Sequence, residues 1–359
     1  MQVLKNVKQW INPAIRSMRA YHVPAAGNMI KLDAMENPYT WPEGLKTEWH
    51  AALDAIAINR YPDPGASKLK ERLRMVMAIP KEMAVMLGNG SDELIQILAI
   101  ALAGPDRHYL APEPGFVMYR QITEALNVGY CGVPLAQPDF ALDRAAMLAA
   151  IARYQPALIF IAWPNNPTGN LFDKQVLFEV IGRAPGLVII DEAYHAFSGQ
   201  SFAPHLNEFE NLLVMRTFSK SGLAGIRLGY LLGHASVLEE LEKIRLPYNI
   251  NALTQATAGF ILGHAHVLEE QCQRIRAGRE DLLAGLSRMQ GIKVWPSAAN
   301  FILFRTLNRT AADVCAGLEQ RGILIKNLHG THPLLENCLR VTVGTETENR
   351  SFLEAMKQY

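Results

Sequence analysis

The chain has 359 residues, 49% of them hydrophobic and 19% charged, with a formal net charge of +1. That length allows a large core and more than one domain, and so balanced a charge offers no general field for nucleic acid or an anionic membrane. The four cysteines (Cys131, Cys272, Cys315, Cys338) are scattered without a C-x-x-C pair. Their spacing argues against a zinc site or a disulfide framework and for reduced thiols in a cytoplasmic protein, with no metal ligand set.

Met1 to Lys8 lacks the apolar core of a secretory signal, and the most apolar run, Leu94 to Ala103, is too short to span a bilayer. Residues 1–45 are rich in proline, asparagine and aromatic side chains, among them Tyr21, Asn37, Pro38, Tyr39 and Trp41. They predict an arm with little regular structure that runs over another surface. A helix follows over 46–58, then the turn-rich loop Asn59-Arg60-Tyr61-Pro62-Asp63-Pro64-Gly65, then a helix from Lys68 to Met77 with Ser67 as its cap.

Short apolar runs then alternate with helical stretches. The runs are Met83–Leu87, His108–Leu110, Val128–Val133, Leu158–Ala162, Leu187–Ile190, Leu212–Met215 and Gly229–Leu232, and helical spacing fills 91–103, 115–126, 143–153, 173–183 and 236–245. Apolar strands without polar alternation, separated by helices, predict a mostly parallel sheet buried on both faces, with ligands beyond the carboxyl ends of its strands. From about 255 the pattern changes. A long helix over 253–289 precedes strands at 293–295 and 300–304, a helix at 310–320, and strands at 323–326 and 339–343. This is an α/β chain: an N-terminal arm (1–45), a large domain (46–252) and a smaller α+β domain (253–359). Arg274, Arg276 and Arg279 within the long helix read as a solvated face.

The strand ends carry the candidate chemistry. Gly88-Asn89-Gly90-Ser91-Asp92-Glu93 follows the first run and opens a helix, a cradle for an anion or a plain turn capped by Ser91. It is neither a Rossmann fingerprint nor a Walker loop, since Glu93 replaces the third glycine and no Gly-Lys-Ser/Thr follows. Asn166 stands in Trp163-Pro164-Asn165-Asn166-Pro167-Thr168-Gly169, after the next run considered. Asp191 and Tyr194 close another; a carboxylate there is costly to bury unless a cation offsets it, either an arginine or a protonated ring nitrogen. Thr217-Phe218-Ser219-Lys220 delivers one amine from a buried strand, and Arg227 follows seven residues later. A lysine so placed can form a Schiff base with an aldehyde.

Phosphate loop, amide, acid and amine on successive strand ends give the sequence its resemblance. It looks like a fold-type I pyridoxal phosphate-dependent aminotransferase of the class I/II superfamily, with a three-layer αβα large domain, and along its whole length it is similar to the histidinol-phosphate aminotransferases. The resemblance implies Lys220 as the lysine bonded to pyridoxal 5'-phosphate, Asp191 on the pyridine nitrogen, and Asn166 and Tyr194 on the phenolic oxygen. It implies Gly90, Ser91, Asp92, Ser219 and Arg227 around the cofactor phosphate, Phe116 stacked on the ring, and Tyr61 reaching the phosphate of a neighbouring subunit in a homodimer. For the substrates, L-glutamate/2-oxoglutarate and L-histidinol phosphate, it implies Arg340, Lys326, Asn37 and Tyr21. Two features depart from the pattern: Lys326 where many relatives carry arginine, and a Lys220–Arg227 interval one residue shorter than in many. An aromatic amino-acid aminotransferase or a threonine-phosphate decarboxylase is the alternative.

Overall fold

A computed structural model describes residues 7–20 and 24–359. Twelve strands form among these residues: β1 (Ile30–Leu32), β2 (Met83–Asn89), β3 (His108–Glu113), β4 (Gly129–Pro134), β5 (Leu158–Ala162), β6 (Leu187–Asp191), β7 (Leu212–Thr217), β8 (Leu228–His234), β9 (Ile292–Val294), β10 (Phe301–Thr306), β11 (Ile323–Asn327) and β12 (Cys338–Thr342). They make a seven-stranded sheet in the order β2-β8-β7-β6-β5-β3-β4 and a five-stranded sheet in the order β1-β11-β12-β10-β9.

Every residue of β5 and β7 is buried, as their unbroken apolar runs require of strands covered on both faces. β3, β4, β5, β6 and β7 run parallel, and β8 is antiparallel to both β7 and β2. The mostly parallel sheet holds, and β8 is its one reversed strand. It enters at the edge of the site because the short turn from Lys220 to Arg227 leaves no room for a crossover helix. The carboxyl ends of β2, β3, β5, β6 and β7 therefore meet the start of β8 on one rim.

The arm does carry little regular structure, two short helices at Val7–Trp10 and Pro13–Ser17 and the strand β1, which pairs in parallel with β11, Ile30 opposite Ile323. Several expectations are corrected. The long helix is two, Ala252–Leu262 and Ala265–Ser287, broken at Gly263-His264. Ser67 does not cap its helix but begins it; Asp63 instead accepts from the N–H groups of Gly65 and Ser67. Likewise Gly90, not Ser91, precedes the helix Ser91–Leu102. The three arginines do more than face solvent. Arg276 donates to the Ala196 carbonyl at 2.6 Å, Arg279 to those of Phe197 and Ala299, and Arg274 lies 3.8 Å over the ring of Tyr39. Together they tie the second helix to the segment after β6, to the arm and to the approach to β10. A helix at Glu346–Met356, absent from the sequence reading, closes the chain with a capping box from Thr345 and Glu348.

Candidate active site

Lys220 sits on an irregular turn just past β7, where Gly222 takes φ 119°. A side chain at Gly222 would press on Asn37, whose amide donates to the Ser221 carbonyl (3.2 Å) and to Gln271 (2.9 Å). Asn37 thus bolts the arm to the turn that carries the lysine, rather than lining the cavity. The Lys220 amine donates to the Ala34 carbonyl at 3.3 Å. Burial pushes its pKa down to about 8, helped by the charge of Arg340, with Asp92 and Glu36 pulling weakly the other way.

Asp191 ends β6, its Cα in register with Ala162 of β5 and Met215 of β7. Its carboxylate is buried, accepting the Tyr119 hydroxyl at 2.6 Å and the Ala193 N–H at 3.0 Å. Burial raises its pKa to about 6 against the opposing pull of these two donors. Among the described residues no lysine, arginine or histidine pairs with it. Arg216, on the adjacent strand, bonds Glu192 at 2.8 Å. Tyr119 was not read from the sequence as a site residue. Its ring lies stacked on Phe160 (4.6 Å) and edge-on to Phe116 (5.5 Å), so aromatic packing aims the hydroxyl at the acid.

One cavity gathers most of the expected residues: Ser91, Asp92, Phe116, Asn166, Asp191, Tyr194, Ser219, Lys220 and Arg227 all line it. Gly90 precedes Ser91 at φ 82°, and a Cβ there would sit 2.6 Å from the Arg227 guanidinium. Gly229 is equally constrained, since a Cβ would fall 2.6 Å from the Ser91 nitrogen. The Arg227 guanidinium donates to Ser219 Oγ at 3.3 Å and to the Asp92 carboxylate at 3.0 Å. Asn166 donates to the Tyr194 hydroxyl (3.2 Å) and accepts from Arg340 (2.6 Å).

A second cavity continues from the first, sharing Met35, Phe116 and Asn166. Lys326 and Arg340 line it, directly opposite each other on β11 and β12. Like charges across a strand pair are unfavourable unless an anion joins them. Tyr61 lies elsewhere, 81% exposed and stacked at 4.3 Å on Tyr248. Tyr21 lies outside the described residues.

Residues 27–356 match the aminotransferase class I and II family. The chain belongs to that family. This aminotransferase is 54% identical over 351 residues to histidinol-phosphate aminotransferase 2 of Nitrosococcus oceani, covering 98% of this chain and 97% of the relative. It is 50% identical over 354 residues to histidinol-phosphate aminotransferase 2 of Cupriavidus pinatubonensis, covering 97% and 96%. In fold, it superimposes on the histidinol-phosphate aminotransferase of Sinorhizobium meliloti in complex with pyridoxal-5'-phosphate with a TM-score of 0.85 at 22% identity, covering 97% and 96%.

Pyridoxal phosphate, the cofactor the family implies, suits the aminotransferase's donor set. Its phosphate would meet backbone N–H groups at a helix start beside an arginine, its ring nitrogen a buried acid with no cationic partner among the described residues, and its aldehyde an amine with a depressed pKa.

Proposed function

We propose that this transaminase moves an amino group between L-glutamate and the phosphorylated ketone imidazole-acetol phosphate, giving 2-oxoglutarate and L-histidinol phosphate in histidine biosynthesis. The observation that carries the substrate reading is the Lys326–Arg340 pair in a cavity continuous with that of Lys220. Two cations on adjacent strands suit a phosphate better than a single carboxylate.

Pyridoxal phosphate supplies an aldehyde that condenses with amines and a protonated ring that accepts the electron pair left at the substrate Cα. Asp191 would face the ring nitrogen and keep it charged, and Tyr119 and the Ala193 N–H hold that carboxylate in place. Asn166 and Tyr194 would hold the phenolic oxygen. Ser91, Ser219 and Arg227 would hold the phosphate, with Gly90 leaving it room and Phe116 beside the ring. Asp92 would act through its backbone N–H and by anchoring Arg227, because its carboxylate already accepts from the guanidinium. Lys220, as a neutral amine, would take the proton from the substrate Cα and return it on the cofactor side. A ping-pong pattern follows, since one substrate leaves before the other enters.

The test is a substrate panel on the purified, cofactor-loaded protein. Histidinol phosphate should exceed phenylalanine in kcat/KM by at least about a hundred-fold, since a cationic pocket left empty loses charge-assisted bonds. Turnover confined to phenylalanine, or carbon dioxide release from threonine phosphate, would replace this reading with one of its relatives.

The protein acts as a homodimer in this proposal, with Tyr61 serving the neighbouring subunit's site. In support, Ile58, Tyr61 and Leu246 are each more than two-thirds exposed, and Arg245 ties the segment of Leu246 and Tyr248 to Pro64 beside Tyr61. Sedimentation should give twice the chain mass, and Tyr61→Ala should weaken cofactor retention; a monomer with full activity would reject the shared site. The division into arm, large domain and small domain is retained, but the boundary is better drawn at Gly263-His264. Helix Ala252–Leu262 packs against the helices Glu43–Asp54 and Ser67–Val76 of the large domain, and Trp49 donates to Thr257 at 3.0 Å. A cytoplasmic location agrees with four free thiols and with the lack, among the described residues, of a helix long and apolar enough to cross a membrane; cell fractionation checks it.

A further inference from the structure

Lys326 leaves the substrate cavity short of directed donors. An ammonium is a point charge without the planar fork of a guanidinium. Arg340 is already partly committed, donating to Asn166 Oδ1 at 2.6 Å and to the Asp33 carbonyl at 3.0 Å. The other guanidinium on the cavity wall, Arg120, is neutralised by Glu113, which it meets through three contacts of 2.8 to 3.0 Å. A phosphate seated here would gain from a further donor of fixed direction.

His332 lines the same wall. It begins the short turn Pro333–Leu335, and its Nδ1 accepts the Leu334 backbone N–H at 3.1 Å. A ring nitrogen that accepts carries no proton, so the neutral imidazole holds its hydrogen on Nε2. The turn therefore fixes the tautomer and leaves Nε2–H as the remaining donor of a ring that lines the cavity. Partial burial and the Arg120 charge lower the ring's pKa, with Glu113 opposing, so the neutral form prevails at physiological pH.

We infer that His332 belongs to the substrate's phosphate subsite, donating its Nε2 hydrogen to a phosphate oxygen beside Lys326 and Arg340 and so replacing a donor that an arginine at position 326 would supply. This rests on the histidinol-phosphate reading, which it extends to a specificity-determining residue on a different loop.

Two variants separate the donor from the turn. His332→Ser keeps an oxygen for the Leu334 N–H but places no donor in the cavity. His332→Gln keeps an N–H near the position of Nε2 but gives up the contact with Leu334. On the pyridoxal phosphate-loaded protein, His332→Ser should raise the KM for histidinol phosphate, and the Kd for inorganic phosphate by calorimetry, by about ten-fold or more. His332→Gln should stay within about three-fold of the parent, and the KM for glutamate should change by less than about three-fold in both. An unchanged His332→Ser, equal damage in His332→Gln, or an equal loss for glutamate would overturn the inference. Inorganic phosphate reads the subsite without a substrate. A protein inactive on histidinol phosphate that still showed this pattern would reject the substrate assignment and keep the subsite.

Discussion

Replacing Lys220 by alanine should lower transamination by about five orders of magnitude or more, to the level of free cofactor. Among the described residues Lys220 is the one amine that lines the cavity of Asp191, and no other side chain lining it there can both bond the cofactor's aldehyde and carry a proton from the substrate Cα. Borohydride treatment of the parent protein should leave a pyridoxyl group on the peptide containing Lys220, seen by mass spectrometry, and none in the variant. A modified peptide elsewhere would remove the assignment. The depressed pKa adds a second measurement. Only the neutral amine attacks an aldehyde, and the neutral fraction grows as pH rises toward the amine's pKa of about 8. Capture of the cofactor by cofactor-free protein should therefore quicken between pH 6.5 and 8 and level off above. A solvated lysine would still be accelerating at pH 9.5, and that profile would show that burial does not tune it.

The sequence revealed the large sheet and most of the cavity because each buried strand is an unbroken apolar run ended by a polar cluster. Leu158–Ala162 leads to Asn166, Leu187–Ile190 to Asp191, and Leu212–Met215 to Lys220, so the parallel arrangement alone puts these side chains on one rim. What stayed hidden depends on contacts between distant segments. Tyr119 meets Asp191 across 72 positions, and no local pattern marks a tyrosine on a helix face as the partner of an acid. Strand direction is invisible in an apolar run itself, and the reversal of β8 shows only in the interval before it, too short for a crossover helix. The three residues of β1 are too few to hold a strand alone and exist as one because β11 offers its edge. The helix break at Gly263-His264 falls within continuous apolar spacing. By contrast, Thr345 and Glu348 do announce the last helix, as a capping box legible in the sequence.

Asp191→Asn should separate stability from catalysis in opposite directions. With its pKa raised to about 6 from an ordinary 3.8, the folded carboxyl keeps its proton where the unfolded chain releases it. Cofactor-free protein therefore loses stability as pH rises from about 4 to 6, and above that window the buried charge costs roughly 3 kcal/mol. Asparagine removes that cost. It also loses one of two acceptors, so either Tyr119 or the Ala193 N–H goes unmet, at about 1 kcal/mol or slightly more. The balance favours the variant: without cofactor at pH 8 its melting temperature should equal or exceed that of the parent, and the difference should shrink toward pH 4. With cofactor the order reverses, because the parent's carboxylate then faces a cationic ring nitrogen and the amide does not. The rate should fall by about a thousand-fold or more, since the charge that keeps the ring protonated is lost from a dry site. A cofactor-free variant that melts well below the parent at pH 8 would mean that Asp191 is satisfied by the protein alone. A loaded variant at parental speed would mean that the acid does not govern the ring nitrogen.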